Sequence, residues 1–375
     1  MAVLGTVAIG SLHACALLDP VPETSDEDAG PDAAPPPVCT ATQANCDELT
    51  SNGCEVDLAS DPLHCGTCDT SCMGGGCNDS QCGPLPETVV TGLLSPMRLV
   101  ADGDTFFVVC ATGVDDVAQV QFGAIVRASA DGTEPRALAT DQLAPDGLAV
   151  DDIWAYWTNA GSGSIARIPK DGGTPYTIVS GQHAPRAIAA DGDHVYWTSS
   201  VDRVLMRSAR DGTDVTTLVK SQDAVLGVAL NTSSILYGTS TAVYQLPKSG
   251  GEPTLLASEQ PNVIAVYAEE EAAFWIAQGR TGIVGDGSVR GATLSSAQTV
   301  DVATRLNGPM SVVADSAAVY WTNLADGTVM KAPRGGGKAT MLASQQSQPW
   351  GIAIGPDGVY WTSFEGGEIR KLVSR

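Results

Sequence analysis

Val319-Tyr320-Trp321-Thr322-Asn323 is a five-residue stretch that recurs along the chain. Near-copies begin at Ala155, Val195 and Val359, and weaker versions include Phe274-Trp275, Leu236-Tyr237 and Phe107-Val108. The tryptophan position therefore falls at residues 108, 157, 197, 237, 275, 321 and 361, at intervals of 49, 40, 40, 38, 46 and 40 residues. A period near 40 with one short aromatic strand per unit is typical of a β-propeller, whose blades are four-stranded sheets.

The same order of features surrounds each copy of the stretch. A Pro opens the first, second, third, sixth and seventh units twelve residues before the tryptophan position, as Pro185 and Pro309 do. An Asp-Gly or Gly-rich turn follows later in the unit, and such turns favour hairpins because Gly adopts positive φ. We therefore predict an all-β fold with a seven-bladed propeller over residues 85–375. Six blades are the alternative, because the first, fourth and fifth units are degenerate.

The two ends of the repeat region complement each other. The last unit stops after Glu368-Ile369-Arg370-Lys371, without a fourth strand. Residues 88–92, followed by Pro96, match residues 177–181, followed by Pro185. We therefore predict that an N-terminal strand completes the last blade, which removes the exposed edges of an open array.

The repeated aromatic residues have a structural interpretation. A large ring at the same point of every blade can wedge against the neighbouring sheet, burying about 150–250 Å² each. A ladder of rings that stacks a ligand is the alternative, and we favour the structural role because the residues repeat with the fold. The residues concerned are Trp157, Trp197, Tyr237, Trp275, Trp321 and Trp361.

Charge is distributed unevenly along the chain. The net charge is −23, and residues 1–84 hold 13 of the 43 acidic residues but none of the 20 basic ones. Residues 85–375 therefore carry 30 acidic against 20 basic residues, or −10. Because such a surface repels phosphate backbones, nucleic acid is excluded as a partner. No apolar run reaches 18 residues, so no membrane-spanning helix is expected.

Residues 1–15 form an apolar segment that ends Leu12-His13-Ala14-Cys15. It resembles a bacterial lipoprotein signal, and this resemblance implies that Cys15 becomes the lipidated first residue of an exported protein. An ordinary cleaved export signal is the alternative. Residues 16–37 are acidic and rich in Pro and Ala, and such a segment cannot bury enough apolar surface to fold. We expect a disordered tether.

Residues 38–84 hold eight cysteines and few large side chains. In an exported chain an even count predicts four disulfides, with 105 alternative pairings, and zinc thiolates are the competing interpretation. The run from Asn52 to Cys68 resembles a cysteine-rich repeat of secreted myxobacterial proteins, which implies a cell-surface or secreted protein and a spacer role. The cysteines are Cys39, Cys46, Cys54, Cys65, Cys68, Cys72, Cys77 and Cys82.

The Tyr-Trp-Thr-(Asn/Ser) strands look like those of the YWTD propellers of lipoprotein-receptor ectodomains. More loosely, the repeats resemble NHL and streptogramin-lyase propellers. The match covers residues 86–375 and differs from YWTD in two ways. The fourth position is Asn159, Ser199, Asn323 or Ser363 instead of Asp, and seven units stand where that family has six.

Loops on one face of a propeller are where a repeat fold gains specificity. Such loops hold His183, the residues that follow each opening Pro, and two insertions at residues 111–121 and 278–286. We predict a ligand site at the channel mouth from Asp146, His183, Arg186 and Trp350; ordinary solvated loop residues are the alternative. Cys110 is expected to be a buried free thiol, because cysteine packs as a small apolar residue.

Catalytic signals are weak. Gly-x-Ser-x-Gly and phosphate-loop motifs are absent, and after the signal segment only three histidines remain, which argues against a histidine-rich metal site. Asp-Gly-Asp at 102–104 and 191–193 could suggest calcium, but Asp-Gly turns recur here for backbone reasons. We expect no cofactor and no metal, and no enzymatic activity.

The sequence therefore predicts a monomeric cell-surface lipoprotein, held at the bacterial outer membrane only by its lipid. Its propeller would bind an unknown protein, peptide or glycan. The alternative is a secreted propeller lyase or lactonase that acts at the channel mouth.

Overall fold

The computed structural model describes residues 39–47, 53–115 and 120–373, and these contain strands, turns and irregular backbone but no helix. No described segment therefore forms a helix long and apolar enough to cross a membrane. The signal segment 1–15 with Cys15 and the linker 16–37 lie outside the described residues. Residues 39–375 belong to one compact unit.

The cysteine-rich module contains two pairs of two-residue strands. Strand β1 (Gln43–Ala44) pairs with β2 (Val56–Asp57), and β3 (Cys77–Asn78) pairs with β4 (Gln81–Cys82). Strand β5 (Glu87–Val90) then leads into the repeats.

Seven four-stranded antiparallel sheets follow, which confirms the prediction of seven blades instead of six. Blade 1 contains β6 (Pro96–Asp102), β7 (Thr105–Asp115), β8 (Val120–Ser129) and β9 (Arg136–Leu143). Blade 2 contains β10 (Pro145–Val150), β11 (Trp154–Asn159), β12 (Ser164–Pro169) and β13 (Tyr176–Val179). Blade 3 contains β14 (Pro185–Ala190), β15 (His194–Ser199), β16 (Val204–Ala209) and β17 (Thr216–Lys220).

The remaining blades keep this order. Blade 4 contains β18 (Val225–Leu230), β19 (Ser234–Thr239), β20 (Val243–Pro247) and β21 (Thr254–Ala257). Blade 5 contains β22 (Val263–Ala268), β23 (Ala272–Ala277), β24 (Gly287–Thr293) and β25 (Gln298–Leu306). Blade 6 contains β26 (Pro309–Ala314), β27 (Ala318–Asn323), β28 (Thr328–Pro333) and β29 (Thr340–Ala343). Blade 7 contains β30 (Pro349–Ile354), β31 (Gly358–Ser363) and β32 (Glu368–Val373).

Blade 7 takes its fourth strand from the other end of the chain, as predicted. The order of its strands is β30-β31-β32-β5, and Val90 lies opposite Ile369. The first strands of neighbouring blades contact one another in sequence, and β30 also contacts β6. The ring is therefore closed, and the first strands line its axis.

The core is divided among the seven junctions between blades. Trp157 of blade 2 is fully buried against Phe107 and Val109 of blade 1, and the other junctions repeat this arrangement. At the closing junction the Tyr360 and Phe106 ring centroids are 4.5 Å apart. The buried residues at the repeated aromatic position are Val108, Trp157, Trp197, Tyr237, Trp275, Trp321 and Trp361.

The threonine of the repeated stretch links neighbouring blades. Thr158 Oγ1 accepts a hydrogen bond from the Gly147 amide (2.8 Å) and donates one to the Arg186 carbonyl of blade 3 (2.6 Å). Glycine is required at 147 because a Cβ there would lie 2.1 Å from that carbonyl oxygen. Equivalent bonds across a junction are donated by Thr198, Thr322 and Thr362.

Four disulfides staple the cysteine-rich module, as predicted. Cys65, Cys72 and Cys82 place their sulfurs close together, but all three are consumed in disulfides and provide no thiolate. The zinc interpretation is therefore wrong for this structure. The pairs are Cys39–Cys54, Cys46–Cys68, Cys65–Cys77 and Cys72–Cys82.

The module packs against the outer strand of blade 6. The Asn78 side chain donates to the Met341 carbonyl (2.8 Å) and accepts from the Met341 amide (2.9 Å). Gly76 permits this approach, because a Cβ there would lie 1.9 Å from the Met341 oxygen. The module thus covers the edge of β29.

Blade 1 differs from the other blades. The insertion at 111–121 continues strands β7 and β8 instead of forming only a loop, and residues 116–119 lie outside the described residues. Cys110 is the buried free cysteine, and burial raises the pKa of its thiol to about 12. The thiol therefore stays protonated and unreactive at neutral pH.

Candidate functional site

A cavity of about 250 Å³ lies where the first strands of several blades meet. It is close to the loops that connect consecutive blades, so we call it the channel mouth. The residues that line it are Arg98, Arg186, Ala187, Leu226, Asn262, Ile264 and Gln278.

The start of each first strand places side chains at this mouth. Strands β10 and β14 each pair with their neighbour at the opening proline and again three residues later, with an irregularity between the two points. Asp146 and Arg186 directly follow Pro145 and Pro185, within this irregular segment. The Arg186 carbonyl accepts a hydrogen bond from Thr158, which belongs to the same blade as Asp146. This bond fixes Asp146 and Arg186 relative to each other.

Asp146 is bound by two arginines from two other blades. Arg98 donates from Nη2 (3.0 Å) and Nε (3.3 Å) to Oδ1, and Arg186 Nε donates to Oδ2 (3.1 Å). Burial acts to raise the pKa of Asp146. The charges and hydrogen bonds of Arg98 and Arg186 outweigh burial, so its pKa lies below the ordinary value. The carboxylate is therefore ionised at neutral pH and orients both guanidinium groups.

Two positive charges share one negative charge here, which leaves a net charge of +1. Arg186 keeps about half of its side chain exposed, and the Arg98 side chain is 23% exposed. A guanidinium carries five N–H donors, so donors remain free after Asp146 is bound. The arrangement can bind an anionic or carbonyl oxygen.

His183 does not join this group. Its side chain is 73% exposed, and Nδ1 lies 2.9 Å from Asp202 Oδ1. Ser199 donates to the His183 carbonyl, which fixes the loop. Sequence proximity to Pro185 suggested a shared site, but the residue lies on the connecting loop instead of on the first strand, and its ring pairs with Asp202 and makes no hydrogen bond or ion pair with Asp146 or Arg186.

Trp350 lies at the position in blade 7 that corresponds to Arg186. Its ring packs on Phe364, with centroids 5.2 Å apart, and its carbonyl accepts from Thr322. Its indole Nε1 is buried and has no acceptor among the described residues. Met310 is in the same position of blade 6, and its sulfur accepts from the mouth residue Gln278 (3.2 Å).

The first carboxylate of each Asp-Gly-Asp turn has a partner within the protein. Asp191 Oδ1 accepts from the Asp193 amide (3.0 Å) and the His194 amide (2.8 Å), and its Oδ2 lies 2.9 Å from Lys248 Nζ. Asp102 lies 2.6 Å from Lys170 Nζ. These two carboxylates therefore have structural partners: for Asp191 they include the backbone of its own turn, and for Asp102 the partner is a lysine of blade 2.

Arg98 is the mouth residue that sequence reasoning missed. It stands two residues after its proline, where blades 2 and 7 have Gly147 and Gly351. The available signal in the sequence was a charged residue at a position where these other blades have a small residue.

Comparisons with known proteins support the fold alone. No family model matches the sequence, and no curated protein matches it. Among solved structures, a streptogramin B lyase superposes with a TM-score of 0.62 at 12% identity over 77% of this chain and 97% of that chain. A catalytically inactive virginiamycin B lyase from Staphylococcus aureus with quinupristin superposes with a TM-score of 0.61 at 15% identity over 77% of this chain and 98% of that chain. Hydrazine synthase from Kuenenia stuttgartiensis superposes with a TM-score of 0.61 at 12% identity over 76% of this chain and 97% of that chain. The chain is thus a seven-bladed β-propeller with a disulfide-rich N-terminal region, a fold that the similar structures use in lyases among other proteins.

Proposed function

We propose that this chain is a binding protein, and that its channel mouth holds an anionic group of a protein, peptide or glycan ligand. The observation that carries this proposal is the convergence of Arg98 and Arg186 on Asp146 at the edge of a cavity. Charge-assisted hydrogen bonds from guanidinium groups are strong and directional. Asp146 holds the two guanidinium groups in place before a ligand arrives, which lowers the entropic cost of ordering them on binding.

The charge of the surroundings adds weight to this proposal. Residues 85–375 carry an excess of ten negative charges, so an anion is repelled by most of the propeller surface. A net positive cluster at the axis is a local exception. Binding there would therefore depend on direct contacts with the arginines and would weaken as salt increases.

A secreted lyase or lactonase is the competing function. Its one candidate histidine, His183, pairs with Asp202 on an exposed loop and not with the arginines of the mouth. We therefore place binding ahead of catalysis. Elemental analysis of the purified protein separates the two, because a lactonase-type propeller depends on a bound divalent metal ion.

The binding function can be tested with a microarray of acidic and neutral glycans and peptides, probed with the full chain. We expect a subset of the acidic members to be retained at low salt through the channel mouth, and Arg98→Ala/Arg186→Ala to weaken that subset roughly tenfold or more, since a hydrogen bond to a charged group contributes about 1.5–3 kcal/mol. Arg203→Ala is the matched control, because Arg203 is exposed and its side chain bonds only the Gln222 carbonyl. Equal retention by wild type and the double variant would remove the proposal.

We also propose that the chain is exported and anchored through lipidated Cys15, as a monomer at the cell surface. The disulfides support an oxidising compartment, and the acidic segment 16–37 follows the cysteine directly. Labelling cells with radioactive palmitate should mark the wild-type chain and not Cys15→Ser, which should leave the membrane fraction. An unlabelled wild-type chain would instead support a cleaved, secreted form.

A further inference from the structure

A second cavity, of about 580 Å³, lies between blades 4 and 5. It exists because two equivalent turns differ in length. The turn between the second and third strands has four residues in blades 2, 3, 6 and 7, but three (240–242) in blade 4 and nine (278–286) in blade 5. The long loop of blade 5 lies beside the short turn of blade 4, and residues from both line the cavity. We call it the blade 4–5 cleft.

The long loop is held in shape by its own ends. Arg280 Nε and Nη2 donate to Asp286 Oδ2 (2.8 Å) and Oδ1 (3.1 Å), and the Arg280 amide also donates to Oδ2 (2.9 Å). These bonds lower the pKa of Asp286 to about 2. A lowered pKa means that the ionised form is favoured by the fold, so the clasp persists at neutral pH and is lost only in strong acid.

The cleft contains an arginine whose charge is not used inside the protein. Arg305 has no hydrogen bond or ion pair with any described residue. Arg290 Nε lies 2.7 Å from Asp301 Oδ1 and forms an ion pair with it, but the N–H is not aligned for a hydrogen bond. Glu259 is the opposing acidic residue, and it too lacks a partner among the described residues. An anion placed on Arg305 therefore displaces no internal ion pair.

Hydroxyl groups line the cleft beside this arginine. Ser240, Ser288 and Thr304 line the cavity, and their hydroxyl groups make no hydrogen bond with other described residues. Hydroxyls both donate and accept, so they complement the hydroxyls of a sugar ring. An acidic peptide would also use the arginine, but each of its residues brings a single backbone N–H and a single C=O to these groups, fewer partners than the hydroxyls and ring oxygens of a sugar residue.

We infer that the blade 4–5 cleft binds an acidic sugar, with its carboxylate on Arg305 and its ring hydroxyls on the serine and threonine side chains. This inference does not depend on the channel mouth, because Arg98 and Arg186 do not line the cleft. The loop 278–286 provides one wall of the cleft, through Arg280, Gly285 and Asp286.

Isothermal titration of the full chain with tetragalacturonate tests the inference. We expect saturable binding that falls about tenfold in Arg305→Gln, a change tolerated by the backbone because Gln345 occupies the matching left-handed position in blade 6. Glu259→Gln should strengthen binding several-fold, because it removes the opposing charge. Lys220→Ala, at an exposed lysine on the outer strand of blade 3, is the charge-matched control and should leave binding unchanged.

Two comparisons make the outcome decisive. Arg98→Ala/Arg186→Ala should retain tetragalacturonate binding at the cleft, so loss of the channel-mouth function and loss of the cleft are distinguishable. Tetraglutamate should bind much more weakly than tetragalacturonate. The inference fails if tetragalacturonate does not bind, if Arg305→Gln leaves its affinity unchanged, or if tetraglutamate binds as tightly, which would make the cleft an acidic-peptide site.

Discussion

The tyrosine and the tryptophan of the repeated aromatic stretch each donate a different hydrogen bond. The tyrosine hydroxyl donates to a turn carboxylate, as Tyr156 does to Asp151 (2.8 Å). The indole N–H donates to a glutamine fifteen residues earlier, as in the bond from Trp275 to Gln260 (3.0 Å). The same bond recurs at Trp157, Trp197 and Trp361. Trp321 is the exception, because Leu306 occupies its glutamine position and its buried N–H has no described acceptor.

This exception leads to a matched pair of substitutions. Trp275 and Trp321 are both fully buried, and Trp→Phe removes similar apolar surface from each. Trp275→Phe should cost about 1–3 kcal/mol more in unfolding free energy, because it leaves the buried Gln260 oxygen without its donor. Urea unfolding of the two variants gives the difference. Equal losses would show that the indole hydrogen bonds contribute nothing to stability.

At the scale of elements, charged pairs cross the junctions between blades on the face opposite the channel mouth. An acidic residue in the turn after a first strand meets a basic residue from the turn after the third strand of the next blade. The pairs are Asp102 with Lys170 (2.6 Å), Asp151 with Arg210 (2.8 Å), Asp191 with Lys248 (2.9 Å) and Glu269 with Arg334 (2.5 Å). Where Asn231 or Gly355 replaces the acid, Leu294 or Ala130 replaces the base. Both partners are replaced together at these two junctions, whereas at the junction of blades 6 and 7 the acidic Asp315 remains although Ser374 occupies the position of the base.

The Glu269–Arg334 pair can be measured by a double-mutant cycle. Both side chains are about one quarter to one third exposed, so the coupling should be modest, about 0.5–1 kcal/mol at low salt. Arg334→Ala alone should cost more than this, because the guanidinium also lies over the Phe274 ring, 4.8 Å from its centroid. A coupling energy near zero, or one that does not shrink in high salt, would contradict an ionic link between the blades.

Features that repeat were predictable from the sequence, and features that occur once were not. The aromatic strands and the closing strand follow from periodicity, because residues such as Trp197 and Trp361 are buried at the same position and donate the same hydrogen bond in their blades. The contact of Arg98 with Asp146 depends on an irregularity in the first strands and on which blades are neighbours. No local sequence pattern therefore predicts it. His183 lies two residues before Pro185, and this proximity groups it with Arg186, but the chain turns between them.

At the scale of the whole molecule, one short strand determines whether the ring is closed. Strand β5 pairs with β32, and Val90 is buried in the cluster shared by blades 7 and 1. The preceding module is attached to the outer strand of blade 6 through Asn78. The closing strand is therefore held by blade 7 itself and, through the chain just before it, by blade 6. Without β5, the hydrogen-bonding edge of β32 would be exposed and able to pair with another chain.

Deletion of residues 86–92 should therefore lower the melting temperature sharply and promote association through β32. The single change Val90→Asp should act in the same direction and destabilise the chain by about 3–5 kcal/mol, because it buries an unpaired carboxylate at the closing junction. Thr91→Asp is the control, since Thr91 is exposed beside the same strand and its replacement adds the same charge. Thermal melting followed by circular dichroism and size-exclusion chromatography reports both effects. If the Val90→Asp variant melts like the Thr91→Asp variant and remains monomeric, blades 1 and 7 hold together without the strand, and the ring is closed by other contacts of this junction, such as the packing of Phe106 on Tyr360 and the hydrogen bond from Thr362 to the Met97 carbonyl.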